Sequence, residues 1–548
     1  MDRNIFLFIS LLTLLSGCAL DKVTSNDPIL PYQTAAVEKG PQQRIGDESI
    51  ESLIPASEPG LPPLEMTGDV TGGRAIVNLT LDDAIVRTLA NSPEIRVVSY
   101  DPSIARMDIT RAISDFDVNF FGKLEYEEQD NPTDSLFQGG QSESRLLETG
   151  FRQKISTGAE WTLTYALSRN WDDLITRSIP TKFEPVLLFQ IKQPLFRDAW
   201  PMVNLAGVNI SKMNYKVALA AFRKKTGDIS TDVISLYWTL LQSRRDFEIQ
   251  EGLLEKTVET FRRLEDRRSI DATALQIKQA ESSLKSRMAM LLEVRKRLED
   301  VQDALVRLLS DNQINLLNDV EIIPATAPDT KAAELDQTEI IRLALANHPE
   351  VQQARMGVEI AEINLRFAKR QKMPRLDLVA VTRAQGLAAS SGEAHEILSD
   401  RDYTSYTVGV SFEYPFGNHQ RSAEFSQRKL EHSKSVSSLQ NVSDMVAAEV
   451  KERIRLAGTA YTGIQIQKDA VAAAEIHLQA LEDLEVIREK LTPEFLLVKL
   501  QAQEALSNAR RAEIKAVVDY NIALTRLAQS TGTVLDMRYV QPQVMPQP

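Results

Sequence analysis

Four stretches of the chain alternate between apolar and polar residues with a period of two, which is typical of β-strands with one apolar face. They cover residues 118–126, 161–168, 187–192 and 406–414. In the last stretch the apolar positions are Tyr406, Val408, Val410, Phe412 and Tyr414. Strands of about 9–11 residues have the length that spans an outer membrane, although a soluble sandwich would show the same alternation.

Long helices follow both groups of strands. Residues 206–268 contain no proline, and at about 1.5 Å per residue this stretch would form a helix of roughly 95 Å. Apolar residues then recur every seven positions, which keeps one seam of a helix facing its neighbour. The three series are Ile277, Leu284, Leu291, Leu298, Leu305; Val450, Ala457, Ile464, Val471, Leu478; and Ala502, Ala509, Ala516, Ala523. The pattern predicts two helical hairpins, at about residues 201–310 and 420–530.

The chain contains an internal repeat. The sequence LANSPEI at residues 89–95 recurs as LANHPEV at residues 345–351, and QPLF at 193–196 corresponds to YPFG at 414–417. Ser92 and His348 are predicted helix N-caps, each followed by a proline at the first helical position. We therefore predict two equivalent repeats, at residues 75–312 and 335–532, with strands at about 117–193 and 375–415.

The first repeat is longer than the second. Pro194 follows Pro93 by 101 residues, whereas Pro415 follows Pro349 by 66, so the first repeat holds 35 additional residues. These residues fit one further β-hairpin with its turn at residues 156–158. Residues 313–334 connect the repeats.

The N-terminus indicates export. The apolar run Ile5–Leu15 is shorter than the roughly 20 residues of a membrane-spanning helix and has the length of a signal-peptide core. It ends in Leu-Ser-Gly-Cys at residues 15–18, which resembles a bacterial lipobox. That resemblance implies a signal peptide at residues 1–17, acylation of Cys18 and, with Ala19 following, the outer membrane; the alternative is an ordinary signal peptide with an incidental cysteine.

The composition and the motifs of the chain exclude several classes of function. Cys18 is the only cysteine, so an internal disulfide is excluded, and a net charge of −13 argues against nucleic acid as a partner. Beyond the N-terminus no apolar run reaches 18 residues. The five histidines show no zinc spacing, and neither a nucleophile elbow nor a phosphate-binding loop occurs. We therefore expect no enzymatic activity, no metal and no cofactor apart from lipid on Cys18. Proline-rich residues 18–74 are predicted to be a tether, and residues 533–548 a disordered tail.

Residues 79–535 resemble the TolC family of outer-membrane efflux and secretion channels, because the paired LANxPE segments, the proline turns after the strands and the two helical hairpins occur together. The resemblance implies a mostly α-helical protein with a membrane β-barrel. Three duplicated helix–strand–helix protomers would form one trimeric β-barrel continued by a long α-helical barrel in the periplasm. The lipobox is similar to that of the lipidated branch.

The resemblance also implies function and partners. The expected protein is a homotrimeric exit duct in outer-membrane lipid, which acts with a periplasmic adaptor (membrane fusion protein) and an inner-membrane pump in a tripartite efflux system. The same fold serves the outer-membrane component of type I protein secretion, and a non-conducting trimeric lipoprotein scaffold is a further alternative. The sequence does not distinguish the transported substrate.

The sequence departs from the family pattern at two places. Four strands per protomer are usual, so the additional hairpin makes the barrel wider or lies elsewhere. In related channels acidic residues after the second helical tip line the aperture, and here Val498 and Gln501 occupy those positions in LLVKLQA, residues 496–502. We therefore attribute closure to ion pairs at the tips. The candidate residues are Glu265, Asp266, Arg267, Arg268, Asp271 and Glu494.

If Cys18 is the lipid anchor, a Cys18→Ser variant will lose incorporation of radiolabelled palmitate, because the thiol is the acylated group. The measurement compares label in the variant and the wild-type protein after immunoprecipitation. Equal labelling of the two proteins would contradict acylation at this residue.

Overall fold

A computed structural model describes residues 66–67, 75–132, 140–173, 178–270, 272–311, 313–314, 316, 320–487 and 492–536. Cys18 and the predicted signal peptide, Asp271 and residues 537–548 lie outside the described residues, as does most of the predicted tether. Helices account for 66% of the structure, so the prediction of a mostly α-helical protein is confirmed.

The helices are α1 (Leu81–Asn91), α2 (Pro93–Ile113), α3 (Pro201–Asn204), α4 (Ala206–Asp266), α5 (Ala274–Leu309), α6 (Gln337–Asn347), α7 (Pro349–Gln371), α8 (Ser391–Asp400), α9 (His419–Ile487) and α10 (Pro493–Ser530). The strands are β1 (Met66–Thr67), β2 (Ala75–Leu79), β3 (Asn119–Asp130), β4 (Gln141–Lys154), β5 (Glu160–Asp172), β6 (Thr181–Pro194), β7 (Val320–Pro324), β8 (Arg375–Gln385) and β9 (Tyr403–Glu413). No helix of the described chain combines the length and the apolar character needed to cross a membrane.

The strands form two sheets. A small sheet has the order β1-β2-β7, in which β2 from the start of the first repeat pairs in parallel with β7 from the segment between the repeats. A large sheet has the order β3-β4-β5-β6-β8-β9, and all its neighbouring strands are antiparallel. The second repeat therefore contributes two strands to the large sheet and the first repeat four.

The additional hairpin of the first repeat is β4–β5, and it lies inside the large sheet rather than elsewhere. Its turn at residues 156–158 is where the sequence predicted it. Gly158 has a φ of +90°, and a Cβ at this position would lie 2.3 Å from the carbonyl oxygen of Asp198. Only glycine fits such a backbone approach, and it holds the turn against the start of the helical part.

The large sheet has one apolar and one mainly polar face. Because residues directly opposite one another share a face, the strand register assigns each side chain. The apolar face carries Phe120, Leu124, Tyr126, Leu147, Phe151, Trp161, Leu163, Tyr165, Leu167, Leu187, Phe189, Ile191, Leu378, Tyr406, Val408, Val410 and Phe412. Several of these side chains are exposed: Leu124 is 81% exposed and Val408 is 76% exposed. The alternation predicted for these strands is confirmed.

The long helices form two antiparallel hairpins, α4–α5 and α9–α10, and α10 packs along α4. The heptad series of α9 is buried as predicted, with Val450, Ala457 and Ile464 each 0% exposed. In α10, Ala502 and Ala523 are buried against neighbouring helices. Helix α2 packs on α4, and α7 lies between α4 and α9.

Two buried tyrosines attach the hairpins to the segment between the repeats. Tyr237 on α4 is fully buried; its hydroxyl donates to the carbonyl of Leu79 at 3.0 Å and accepts the N–H of Thr326 at 2.9 Å. Tyr520 on α10 does the same for the carbonyl of Lys331 at 2.7 Å and the N–H of Ala333 at 3.0 Å. Both hydroxyls thus satisfy backbone groups of segments that run across the helices.

The predicted N-caps of the repeat differ. His348 Nδ1 accepts the N–H of Glu350 at 3.3 Å, so this cap is confirmed. Ser92 also occupies the N-cap position, as predicted, but its side chain makes no capping hydrogen bond. Near the C-terminal end of the described chain, Val534 is 4% exposed within a 3₁₀ turn, Val534–Asp536.

A Tyr237→Phe variant will lower the free energy of unfolding by about 1–3 kcal/mol, because the Thr326 N–H loses its acceptor and the Leu79 carbonyl keeps only the hydrogen bond from the Ala325 N–H. Denaturant titration of the purified protein measures the change. Tyr100→Phe is the control, since Tyr100 is 39% exposed. Equal stabilities of the two variants would contradict the role of the Tyr237 hydroxyl.

Candidate functional site

The site is the pair of helical tips, where the predicted aperture residues lie. Helix α4 ends at Asp266 and continues into a 3₁₀ turn, Arg267–Ser269. Thr273 and Gln276 then form a capping box that starts α5. At the second tip, the Thr492 hydroxyl accepts the N–H of Phe495 at 3.4 Å and caps α10. Each returning helix thus begins at a defined residue.

The predicted site residues occupy different surroundings. Glu265, Asp266 and Arg268 are exposed at the first tip, while Arg267 is half-buried. Val498 is 43% exposed and Gln501 is also exposed, both on α10. Asp271 lies outside the described residues.

One of the predicted residues joins the two hairpins. Glu494 Oε1 accepts a hydrogen bond from Gln276 Nε2 at 2.6 Å, which links the first turn of α10 to the first turn of α5. The structure thereby brings the two tips together within one protomer.

A stronger contact between the hairpins lies at the end of α9. Glu485 forms ion pairs with Arg263 of α4 and with Lys499 of α10. We name this group the tip clasp. The side chains of Glu485 and Lys499 are 13% and 12% exposed, whereas that of Arg263 is 46% exposed. An apolar cluster shared by the two hairpins comprises Leu264, Ala280, Leu496 and Leu500.

Further from the tips, charged residues interrupt the helix seams. Arg287 on α5 is 6% exposed and donates to the Thr257 hydroxyl, to the Leu500 carbonyl at 2.9 Å and to Glu504 at 3.4 Å. Burial lowers the pKa of Arg287, and the nearby Glu504 carboxylate opposes that shift.

A second buried charge lies between α4 and α10. Asp246 Oδ1 is 3.4 Å from Arg511 Nε, and Asp246 is 5% exposed. Burial raises the pKa of Asp246, which the Arg511 guanidinium partly offsets. The hairpins are thus joined by the tip clasp and an apolar cluster at the tips, and by buried charged residues farther in.

The sequence reasoning missed Arg263, Glu485 and Lys499. The Arg263–Glu485 pair joins residues of two hairpins that are 222 positions apart, and the Lys499–Glu485 pair joins the two helices of one hairpin, 14 positions apart. Both pairs depend on the register between helices, which no local pattern reports. Arg287 could have been found, because it falls seven residues after Ala280 and seven before Val294, at buried positions of the α5 seam.

Comparison with known proteins shows which family part of the chain resembles. Residues 340–484 match the family model of the outer membrane efflux protein. This range begins in α6 and ends near the end of α9, and so it includes β8, β9 and most of the helix that carries the second seam. No curated protein sequence matches the chain significantly.

Solved structures share the fold across most of the chain. A membrane protein from Pseudomonas aeruginosa is 15% identical, with a TM-score of 0.61 over 82% of this chain and 93% of its own. The outer membrane channel CmeC of Campylobacter jejuni is 13% identical, with a TM-score of 0.57 over 83% and 86%. The MtrE outer membrane channel of Neisseria gonorrhoeae, in its open state, is 14% identical, with a TM-score of 0.59 over 86% and 95%.

These similarities confirm the predicted resemblance to TolC-like outer-membrane channels. They also agree with the prediction of a non-enzymatic protein, since the matched family consists of efflux channels.

A Glu485→Gln variant will lower the free energy of unfolding by about 1–3 kcal/mol, because the shielded Lys499 loses its counter-charge and Arg263 keeps only its exposed pair with Glu259. Amide hydrogen exchange at the ends of α9 and α10 will also become faster. The matched control is Glu259→Gln: Glu259 pairs with the same Arg263 but is 63% exposed, so its loss will change stability by less than about 0.5 kcal/mol. Similar effects of both variants would contradict the tip clasp.

Proposed function

Because the chain carries an outer membrane efflux protein domain within the fold of known outer-membrane channels, we propose that it is the exit duct of a tripartite efflux system. The duct conducts substrates passively, from an inner-membrane pump and a periplasmic adaptor to the outside. The observation that carries the proposal is the combination of a sheet with one exposed apolar face and two long helical hairpins in register.

The exposed apolar face argues for a lipid environment. A soluble protein rarely leaves a continuous apolar surface of several strands uncovered. Here Phe120, Leu124, Val408, Val410 and Phe412 are each at least 65% exposed on one face of the large sheet. Strands of 11–14 residues are also long enough to cross an outer membrane with tilt.

Location and assembly follow from the same proposal. The large sheet lies in the outer membrane as part of a homotrimer, and the helical hairpins extend into the periplasm toward the adaptor. Acylation of Cys18 adds a lipid anchor at the start of the mature chain. Lipid on a single residue adds membrane affinity, whereas closure of the strands satisfies the backbone within the bilayer.

Closure of the resting channel is assigned to the tips. The tip clasp holds the two hairpins of each copy together. Ion pairs between hairpins of different copies are assigned to Glu265, Asp266, Arg267, Arg268 and Glu494. An exposed pair contributes only about 0–1 kcal/mol, but threefold symmetry repeats every contact. Opening is then a cooperative shift between two packings, which the adaptor biases.

Replacing Arg267 and Arg268 by alanine will raise the resting conductance of the protein in planar bilayers. If three exposed pairs each lose about 0.5 kcal/mol, the open population rises about tenfold. Cells that carry the variant will also become more sensitive to large antibiotics.

The control variants are Val498→Ala and Gln501→Ala, which leave the tip charges in place. A rise in conductance in these controls, with wild-type conductance in the arginine variant, would place the constriction one to two turns inside the tip. A protein that forms no channel at all would contradict the exit-duct proposal.

A further inference from the structure

The large sheet ends in two open edges. Among the described residues, β3 pairs only with β4 and β9 pairs only with β8, so the outer side of each strand lacks a ladder partner. In an apolar medium each unpaired backbone group costs several kcal/mol, which makes open edges untenable. The two edge strands have nearly equal lengths, 12 and 11 residues.

The directions of the edge strands permit them to pair with one another. Six strands with antiparallel neighbours place β3 and β9 in opposite directions. A β9 strand can therefore add to the β3 strand of a second copy as another antiparallel neighbour. No other element of the chain is needed to complete the ladder.

We propose that β9 of each copy pairs with β3 of the next copy, with Leu124 opposite Val408, and that three copies close a barrel of eighteen strands. The inference rests on the proposed trimeric channel and goes beyond it by assigning the number of strands, the interface and its register.

The register follows from the stagger of the strands within one copy. A row perpendicular to the strands runs through Asn119, Arg152, Thr162, Gln190, Val381 and Thr407. The row meets β3 at Asn119, the end of that strand nearest the helices. It meets β9 at Thr407, six residues before Glu413, the end of β9 nearest the helices. If the helix-side ends of both edge strands lie at the same depth, Asn119 stands opposite Glu413 of the neighbouring copy.

In this alignment, apolar side chains of the two strands lie on the same face of the sheet. The alignment places Leu124 opposite Val408, Phe120 opposite Phe412 and Tyr126 opposite Tyr406, all on the apolar face. On the polar face, Glu125 meets Thr407, so no two like charges face each other there. A shift by one residue would turn apolar side chains toward the polar face, which excludes it.

The geometry of a closed barrel provides an independent check. The perpendicular row that begins at Asn119 ends at Thr407, and in the proposed register Thr407 stands opposite Glu125 of the next copy. Crossing the six strands of one copy therefore shifts the register by six residues. Three copies then have a shear equal to the number of strands. That ratio corresponds to a strand tilt of about 36°, within the usual range of about 35–45°.

The barrel is also wide enough to meet the helices. Eighteen strands about 4.8 Å apart at this tilt have a circumference of roughly 105 Å. Twelve helices, four long ones from each copy, spaced about 8–10 Å apart form a ring of roughly 95–120 Å. At equal tilt, a barrel of eighteen strands is about 1.5 times as wide as one of twelve.

The interface is tested by cross-linking the full-length protein with a short bifunctional thiol reagent. Opposite residues in a ladder have Cβ atoms about 5 Å apart, so a Leu124→Cys/Val408→Cys variant will yield covalent species of two and three chains and none larger. The offset control Leu124→Cys/Phe412→Cys separates the thiols by roughly 13 Å along the strand and will yield about tenfold less product. Both single variants correct for any reaction of Cys18.

The outcomes separate this inference from the proposed function. Absence of cross-linking in the matched pair, in a preparation that is trimeric and conducts, overturns the interface and leaves the channel intact. Stronger cross-linking in the offset pair overturns the register. A monomeric, non-conducting preparation overturns both proposals.

Membership of β4–β5 in the barrel is tested separately by labelling with a charged thiol reagent. In the eighteen-stranded barrel Thr162→Cys on the polar face will react, and Leu163→Cys on the apolar face will not. Equal labelling of the two positions would place the hairpin outside the bilayer and overturn the count of eighteen strands.

Discussion

In the proposed channel the large sheet lies in a membrane, where every N–H and C=O of a strand needs a hydrogen-bond partner. The connections between this sheet and the helices explain why the first repeat contains its additional strands as a pair. Strand β3 leaves from α2 and β6 returns to α3, so both ends of this segment must lie on the helix side of the sheet. A hairpin of two strands preserves that direction, whereas a single added strand would end on the opposite side. The insertion therefore changes the width of the sheet without changing its connections to the helices.

The added hairpin is also built into the junction between sheet and helices. Trp200 has a φ of +81°, a region that non-glycine residues rarely adopt. Its N–H donates to the carbonyl of Thr157, in the β4–β5 turn, at 3.0 Å, and Gly158 packs on Asp198. Asn418, at the corresponding junction of the second repeat, also has a positive φ, of 38°. Backbone strain of this kind persists where surrounding contacts determine the conformation, and in the first repeat the inserted turn supplies one of them.

Much of the fold could be predicted because its signals are periodic. Alternation located the strands, the heptads located the buried seam of Val450, Ala457 and Ile464, and the spacing of the landmark prolines revealed the β4–β5 hairpin. The contacts at the helical tips were harder to predict from the sequence. Glu494 could be singled out from its position at a tip, but its partner Gln276 belongs to a capping box of another hairpin. Contacts of this type depend on how far two helices slide past each other, and the sequence of either helix alone does not contain that distance.

The charged residues of the seam supply that missing information. Apolar contacts such as those of Leu496 and Leu500 with Leu264 do not by themselves prevent α10 from sliding by one heptad along the first hairpin. Sliding by seven residues in one direction would bring Arg511 to the position of Glu504, and Arg287 would then face a like charge. Sliding in the other direction would bring Glu504 to the position of Arg511, beside Asp246. Both shifted registers place a like charge beside a buried one, Arg287 in the first case and Asp246 in the second, where repulsion is stronger than between exposed charges. The buried Arg287 and Asp246 therefore specify the register that also aligns Glu485 with Arg263 at the tips, so the polar layer and the tip clasp depend on a single choice of alignment.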